Sequence, residues 1–223
     1  MSRVRKILFA FSGLLVLLGS FSSPVLLPYP LFVLAFLRGW RLPQVGTPAV
    51  RLLLSTAICA SVLEIGAWLD NYMKNAPDPA LLHPQLIPDL ITSIGIYAAW
   101  WLTWWLMLRR YRFTAQQVFI TTGLYGVLIE QQGRIFLAGL GTFPLGMVLW
   151  LFVAVAYGST MALAFFLVRD SFTAPCDRWF KYLLAVGALL ILTLATALVW
   201  GFVLQLLNII PPKKLPMQDY PLW

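Results

Sequence analysis

Residues 7–37 read ILFAFSGLLVLLGSFSSPVLLPYPLFVLAFL, a run with no charged side chain. A hydrocarbon core of about 30 Å takes roughly 20 helical residues, so the run is too long for one ordinary helix. Ser22-Ser23-Pro24 and Pro28-Tyr29-Pro30 cut it, and both are residue types that end or kink helices. Whether this stretch crosses a membrane once, or enters and returns, decides the side on which every later loop falls.

The basic residues arbitrate. Arg3, Arg5 and Lys6 precede the run, and Arg38, Arg41 and Arg51 follow it. Arg109, Arg110 and Arg112 separate two later apolar segments, and Arg169, Arg178 and Lys181 separate two more. A single crossing leaves seven Lys/Arg inside and nine outside, whereas an in-and-out hairpin leaves twelve inside and four outside. Cytoplasmic loops carry the excess of Lys and Arg, so the hairpin is the reading that fits. It is either two short spans or a re-entrant pair, since a helix over 7–22 covers only about 24 Å. A second account fits the same count: the basic start, the apolar stretch to Leu18 and the small residues Ser20 and Ser22 have the three-part shape of a secretory signal peptide, with Pro24 crowding the cleavage position.

The composition of the whole chain agrees. Its 223 residues are 61% hydrophobic and 11% charged, with ten Trp, eight Tyr and fifteen Phe, and the mean hydropathy is +0.83. An average soluble domain has about 25% charged and 45–50% apolar residues. A soluble fold, intrinsic disorder and a secreted disulfide scaffold are therefore excluded. A net charge of +8 spread through separate loops is a topology signal, and it predicts no nucleic-acid partner.

Five clear spans follow the hairpin, at 49–69, 88–108, 114–132, 145–168 and 182–208. The fold expected is all-α: a polytopic transmembrane helix bundle of five spans plus an N-terminal helical hairpin, six to seven membrane segments in all. It forms a single integral membrane domain over 1–223, with the hairpin at 7–37, the five-helix bundle at 49–208 and an extended, Pro-rich tail at 209–223. The basic loops would face the cytoplasm from a plasma (inner) membrane and the tail would lie outside, despite Lys213 and Lys214. No internal repeat is visible, which argues against a transporter built from inverted halves.

With that topology the acids gather. Glu64 and Asp70 fall at the outer end of the first bundle span, Asp89 at the outer start of the next, and Glu130 at the outer end of the third. With Asp78, five of the eight acidic residues share one leaflet, together with Gln131 and Arg134. Asp170 and Asp177 lie at the basic side, where pairing with neighbouring Arg169 and Arg178 is expected. An intramembrane carboxylate is costly and marks function by default. Glu64 shares a helical face with Ala57, Ala60, Ser61 and Trp68, small residues that admit a close neighbour. The packing alternative is that Glu64 pairs with Arg134 or bonds to Gln131. Glu130 falls near one face with Gly123, Gly126 and Val127, a groove for a neighbouring helix or for a ligand chain. Glu64 and Glu130 are the candidate catalytic pair: facing each other, repulsion and desolvation would leave one protonated, an acid and a base from identical side chains. Asp70, Asp89, Gln131 and Arg134 are candidate substrate-binding residues at the same level.

Trp100, Trp101, Trp104 and Trp105 precede Arg109-Arg110 and fit an interfacial aromatic belt. Trp101 and Trp104 share a face with Tyr97 and, with Trp150 and Tyr157, are candidates to line an elongated apolar cavity. The glycines of 139–146 are no phosphate-binding loop, because no Lys-Ser/Thr follows; the apolar stretch 135–143 is expected to dip into the interface. His83 reads as a solvated loop residue. One histidine, and cysteines 59 and 176 at different depths, predict no metal site of the classical His/Cys kind, no cofactor and no disulfide; a carboxylate-held magnesium is the one metal alternative the residues leave open.

Glu130-Gln-Gln-Gly133, the glycine-rich turn, Phe143-Pro144-Leu145, Trp150 and Tyr157 together resemble a stretch in carotenoid-biosynthesis membrane proteins of the end-group hydratase type. The likeness covers some thirty residues. It departs from the family's pattern where Ile135-Phe-Leu-Ala-Gly139 stands in place of an aromatic Phe-Gly-x-Tyr-x-Tyr type of segment. The resemblance implies addition of water to the terminal double bond of a long isoprenoid, with a role carried over for Glu130 alone. Protonating an alkene needs a desolvated acid, which a buried glutamic acid supplies. Three functions are thus expected in order: binding of a long apolar lipid or isoprenoid with carboxylate chemistry at its end; a non-catalytic subunit or assembly factor with partner membrane subunits; and a small-solute carrier. A co-purifying pigment or lipid, stable co-purification with other subunits, and pH-dependent uptake separate them.

Overall fold

The computed structural model describes residues 3–223; Met1 and Ser2, part of the single-domain expectation, lie outside the described residues. Every regular element among them is helical: α1 (Arg3–Ser20), α2 (Pro28–Arg38), α3 (Pro48–Met73), α4 (Leu86–Arg110), α5 (Ala115–Ile129), α6 (Arg134–Gly141), α7 (Gly146–Val168) and α8 (Lys181–Leu207), with single 3₁₀ turns at Pro24–Leu26, Glu130–Gly133 and Arg169–Ser171. Four of these, α3, α4, α7 with its 3₁₀ extension, and α8, are long and apolar enough to cross a membrane.

The third expected span, at 114–132, is shorter than its sequence suggests. Thr114 starts α5 with a reciprocal capping box to Gln117. The helix stops after 15 residues, about 22 Å. What stops it is backbone conformation: Glu130 turns to ψ 129°, and Gln131, Gln132 and Gly133 follow at φ 48°, 60° and 83°, a left-handed run that reverses the chain. The polypeptide then re-enters helix as α6, an eight-residue segment with Leu137 and Leu140 exposed on its outer face.

Residues 7–37 fold as two helices packed side by side in opposite directions. Phe9 meets Phe32 and Phe36 edge-on, Ser12 Oγ lies 2.9 Å from the Tyr29 hydroxyl, and Gly13 leaves no room for a Cβ against Val33. Ser23 and Pro24 stand at the reversal, as the helix-breaking residues require. Its tip is wedged against α3, where a Cβ on Gly66 would come within 2.6 Å of the Pro24 carbonyl oxygen. Phe32 and Phe36 then join Phe119 and Phe166 in an aromatic cluster that ties the pair to α5 and α7.

Helix α7 is central and mostly buried against α2, α3, α5 and α6, while α8 lies largely uncovered on the flank of the bundle. The bundle has two chemically distinct ends. At one, the loops before α3, before α5 and after α7 meet: Leu42 N–H donates to Leu167 O, Arg112 N–H to Cys176 O, and Lys181 Nζ to Arg112 O. Asp170 and Asp177 are neutralised here by Arg41 at 2.8 Å and Lys181 at 2.7 Å, rather than by their sequence neighbours. The other end holds the α3–α4 loop, the reversal after α5 and residues 209–223. Those residues have no regular secondary structure and are tied to the bundle: Met217 is fully buried, and the carbonyls of Pro221 and Leu222 accept from the amides of Leu86 and Ile87.

Candidate functional site

Glu64 lies in the fifth turn of α3, where the chain has no reason to keep a carboxylate except a partner or a cavity. It has both. The Tyr97 hydroxyl on α4 donates to Glu64 Oε1 at 2.6 Å, and Glu64 faces a cavity of about 500 Å³. Glu130 caps α5 and lines the same cavity. Its Oε2 accepts from the Tyr157 hydroxyl on α7. The two glutamates thus stand on one cavity wall system, each held by a tyrosine. Trp100, with no exposed surface, packs edge-on against Tyr97 at 5.1 Å and lies 5.3 Å from Tyr157, so one indole spaces the two pairs.

Glycine geometry sets the second pair. A Cβ on Gly126 would come within 2.6 Å of the Tyr157 ring, and one on Gly123 within 2.8 Å of the Ala154 carbonyl oxygen. The glycine face of α5 is therefore filled by a neighbouring helix, α7, not by a ligand chain. This close approach is what brings Tyr157 under Glu130.

The remaining expected residues divide. Gln131 lines the cavity, as does Gln132. Asp89 is fully buried and does not line the cavity: its Oδ1 accepts from the His83 backbone N–H at 2.9 Å, while its Oδ2 has no hydrogen-bond partner. Asp70 instead pairs with Lys74 at 2.7 Å, one helical turn on, and Arg134 is exposed at the start of α6; neither lines the cavity. Trp101 and Trp104 do not line it either. Trp104 is fully buried with its Nε1 donating to Thr122 Oγ1 at 3.2 Å, and Trp101 donates to the Ala49 carbonyl at 2.9 Å, at the opposite end of the bundle. Both are core and helix-joining residues. Trp150, expected beside them, donates to the Ile135 carbonyl and stacks on Phe136, fixing α6 to α7.

Tyr97 and Tyr157 are the site residues that the sequence left unassigned as carboxylate partners. A signal existed for Tyr97: Asp89, Ser93 and Tyr97 recur every four residues, a polar stripe on one face of an apolar helix. Thr193, from α8, completes the wall and meets the Tyr125 hydroxyl at 2.8 Å.

His83 is 2% exposed, contrary to a solvated loop residue. Its Nδ1 accepts from the Gln85 N–H at 3.1 Å, so the ring proton resides on Nε2, which donates to the Pro211 carbonyl at 3.1 Å. Burial, helped by Lys213, holds this imidazole below the usual histidine range. Gln85 repeats the pattern, donating to and accepting from the backbone of Lys214. Residues 209–223 are thereby latched to the loop whose Ala80, Leu81 and Leu82 roof the cavity.

A second, smaller cavity of about 160 Å³ runs between α3 and α4 on the outer flank, from Leu53 to Glu64 along α3, about 16 Å of helix. It shares Glu64 and Tyr97 with the first, so this pair divides the two spaces. Comparison of the chain with family models, curated proteins and solved structures found no match.

Proposed function

We propose that the protein binds a long apolar lipid or isoprenoid and acts on its end through Glu64 and Glu130. The observation that carries this reading is the placement of both glutamates, each hydrogen-bonded by a tyrosine, on one cavity of about 500 Å³. That volume suits the end group of an isoprenoid and not its whole length. The flanking furrow between α3 and α4, lined by Leu53, Ala57, Ala60 and Ile94, takes the adjoining chain.

The chemistry is hydration of a terminal alkene, as the resemblance around Glu130 implies. One carboxylic acid gives its proton to the terminal alkene carbon and becomes a carboxylate. Water adds to the cation so formed, and the second carboxylate takes the proton that the water loses. The product is the alkene plus one water, and both carboxyls have exchanged protonation states. Tyr97 and Tyr157 hold the carboxylates by donating to them.

In the same reading α5, which reaches from Thr114 at the basic end to Glu130 at the acidic end, crosses as a short fifth span, and α1 with α2 enters and returns. The basic end faces the cytoplasm from the plasma membrane, and the glutamates work at the outer side. The test is incubation of purified protein with a linear polyene isoprenoid, read by co-elution of its absorbance and by the mass of one added water. Glu64→Gln and Glu130→Gln are expected to abolish the mass gain. Wild-type behaviour in both variants overturns the proposal.

A further inference from the structure

A third cavity lies at the other end of the bundle, among the arginines. It holds about 610 Å³ between the start of α3, the end of α4 and the segment after α7, and Thr47, Trp105, Arg109, Ser171 and Thr173 supply its polar and aromatic lining. The Arg109 guanidinium sits 4.9 Å over the Trp105 ring, which in turn stacks on Trp101.

Behind Ser171 stands Arg51, one turn into α3 and only 8% exposed. Its Nη1 donates to Ser171 Oγ at 2.5 Å and its Nη2 to the Leu42 carbonyl at 3.3 Å, while Nε has no partner. Among the described residues the ion pairs are Arg41 with Asp170, Lys74 with Asp70 and Lys181 with Asp177. None of these pairs involves Arg51, so no described carboxylate neutralises it. A buried guanidinium without a counter-charge is costly, because desolvation is not offset. The planar donor fork of arginine matches phosphate oxygens. The start of α3, with Pro48 at its first position and Thr47 as its cap, adds the positive end of a long helix to the same wall.

We propose that this cavity binds the phosphate group of an anion, held by Arg109 and by Ser171, with Arg51 behind Ser171 supplying the balancing charge. The shared chemistry is a phosphate monoester or diester, and its two sources are a phospholipid headgroup at the membrane surface and a free phosphate. Leu108, Phe172 and the Trp101–Trp105 stack beside the arginines favour the headgroup, since they offer apolar cover next to the charge. This site is separate from the glutamate cavity and does not depend on its function.

The experiment is native mass spectrometry of the full chain in detergent, with phosphatidic acid compared against diacylglycerol of the same acyl chains. Wild type is expected to retain phosphatidic acid preferentially. Arg109→Gln and Arg51→Gln are each expected to reduce that retention roughly tenfold. Arg109 is exposed, so its variant decides alone if Arg51→Gln fails to fold. Wild type without a preference, or a preference that survives either substitution in a folded protein, overturns the proposal. Excess inorganic phosphate distinguishes the sources: phosphatidic acid that stays bound assigns the site to a lipid headgroup, whereas displacement by phosphate that itself binds assigns it to free phosphate.

Discussion

The Tyr97 hydroxyl donates to Glu64 Oε1 at 2.6 Å, joining α4 to α3 at the wall between two cavities. Removing the donor and changing the acceptor are not equivalent. Tyr97→Phe leaves a largely buried acceptor unmatched and is expected to cost about 1–2 kcal/mol. Glu64→Gln keeps an oxygen that accepts from Tyr97 and is expected to cost less. Thermal unfolding midpoints of the two variants in one detergent check the order, and a larger loss for Glu64→Gln refutes it.

Gly126→Ala places a methyl 2.6 Å from the Tyr157 ring and forces α5 and α7 apart. A destabilisation of about 1–3 kcal/mol is expected, as for other overpacked contacts. Gly187 in α8 has nothing within 4 Å of an added Cβ. There alanine is expected to be neutral or to stabilise by up to about 1 kcal/mol through helix propensity. Equal midpoints for both variants would sink the argument.

Gln132 holds φ 60° without being glycine, a conformation that costs an L-residue about 1–2 kcal/mol. Gln132→Gly should therefore raise the unfolding midpoint, less the chain freedom that glycine adds. Gln132→Ala, with a Cβ still present, should not. A rise with alanine as large as with glycine would show that the backbone conformation is not the cause.

His83 gives the latch over the acidic end a pH dependence whose sign follows from burial. The folded form prefers the neutral ring, so its pKa lies below that of the unfolded or undocked chain. The stabilisation is fully present above the unfolded value of about 6.5 and is lost as pH falls through the lowered folded value. A proton on Nδ1 removes the acceptor for the Gln85 N–H. The charged group acting on the ring is Lys213 of the docked segment, while Asp89 of α4 accepts from the His83 backbone N–H. Hydrogen-exchange protection of the Leu86 and Ile87 amides should fall on acidification in wild type. In a folded His83→Gln variant the protection should be much less sensitive to pH over the same window, and an unchanged profile would rule His83 out as the sensor.

Much of the architecture was legible from the sequence because bilayer length and charge placement are long-range constraints. Four of the long helices lie where the apolar runs place them, and the arginine triplets share one end. What stayed hidden was partner identity. Periodicity put Trp101 and Trp104 on a face with Tyr97, but apolar spacing reports burial and not what a side chain meets, and both indoles serve the core. The end of α5 was hidden because Glu130-Gln-Gln carries no proline, and its left-handed turn becomes visible only as backbone geometry. The carboxylates were located by their cost in an apolar helix; their tyrosine partners come from other helices and depend on packing, as Gly126 and Tyr157 illustrate. His83 was misread because a Pro-rich segment suggests solvent, although proline retains a carbonyl and Pro211 uses it.

The docking of residues 209–223 has a consequence for the order of assembly. The amides of Leu86 and Ile87 open α4, and the carbonyls that satisfy them come from Pro221 and Leu222, while Gln85 is secured by a residue 129 positions later. The first turn of the second long helix is thus closed by some of the most sequence-distant contacts in the molecule, the class that forms last because chain closure must precede it. Without those distant residues the first amides of α4 and the His83 Nε2 lose the partners they have in the folded chain. The roof of the glutamate cavity is thus anchored by a short segment far removed in sequence from the helices that carry the glutamates.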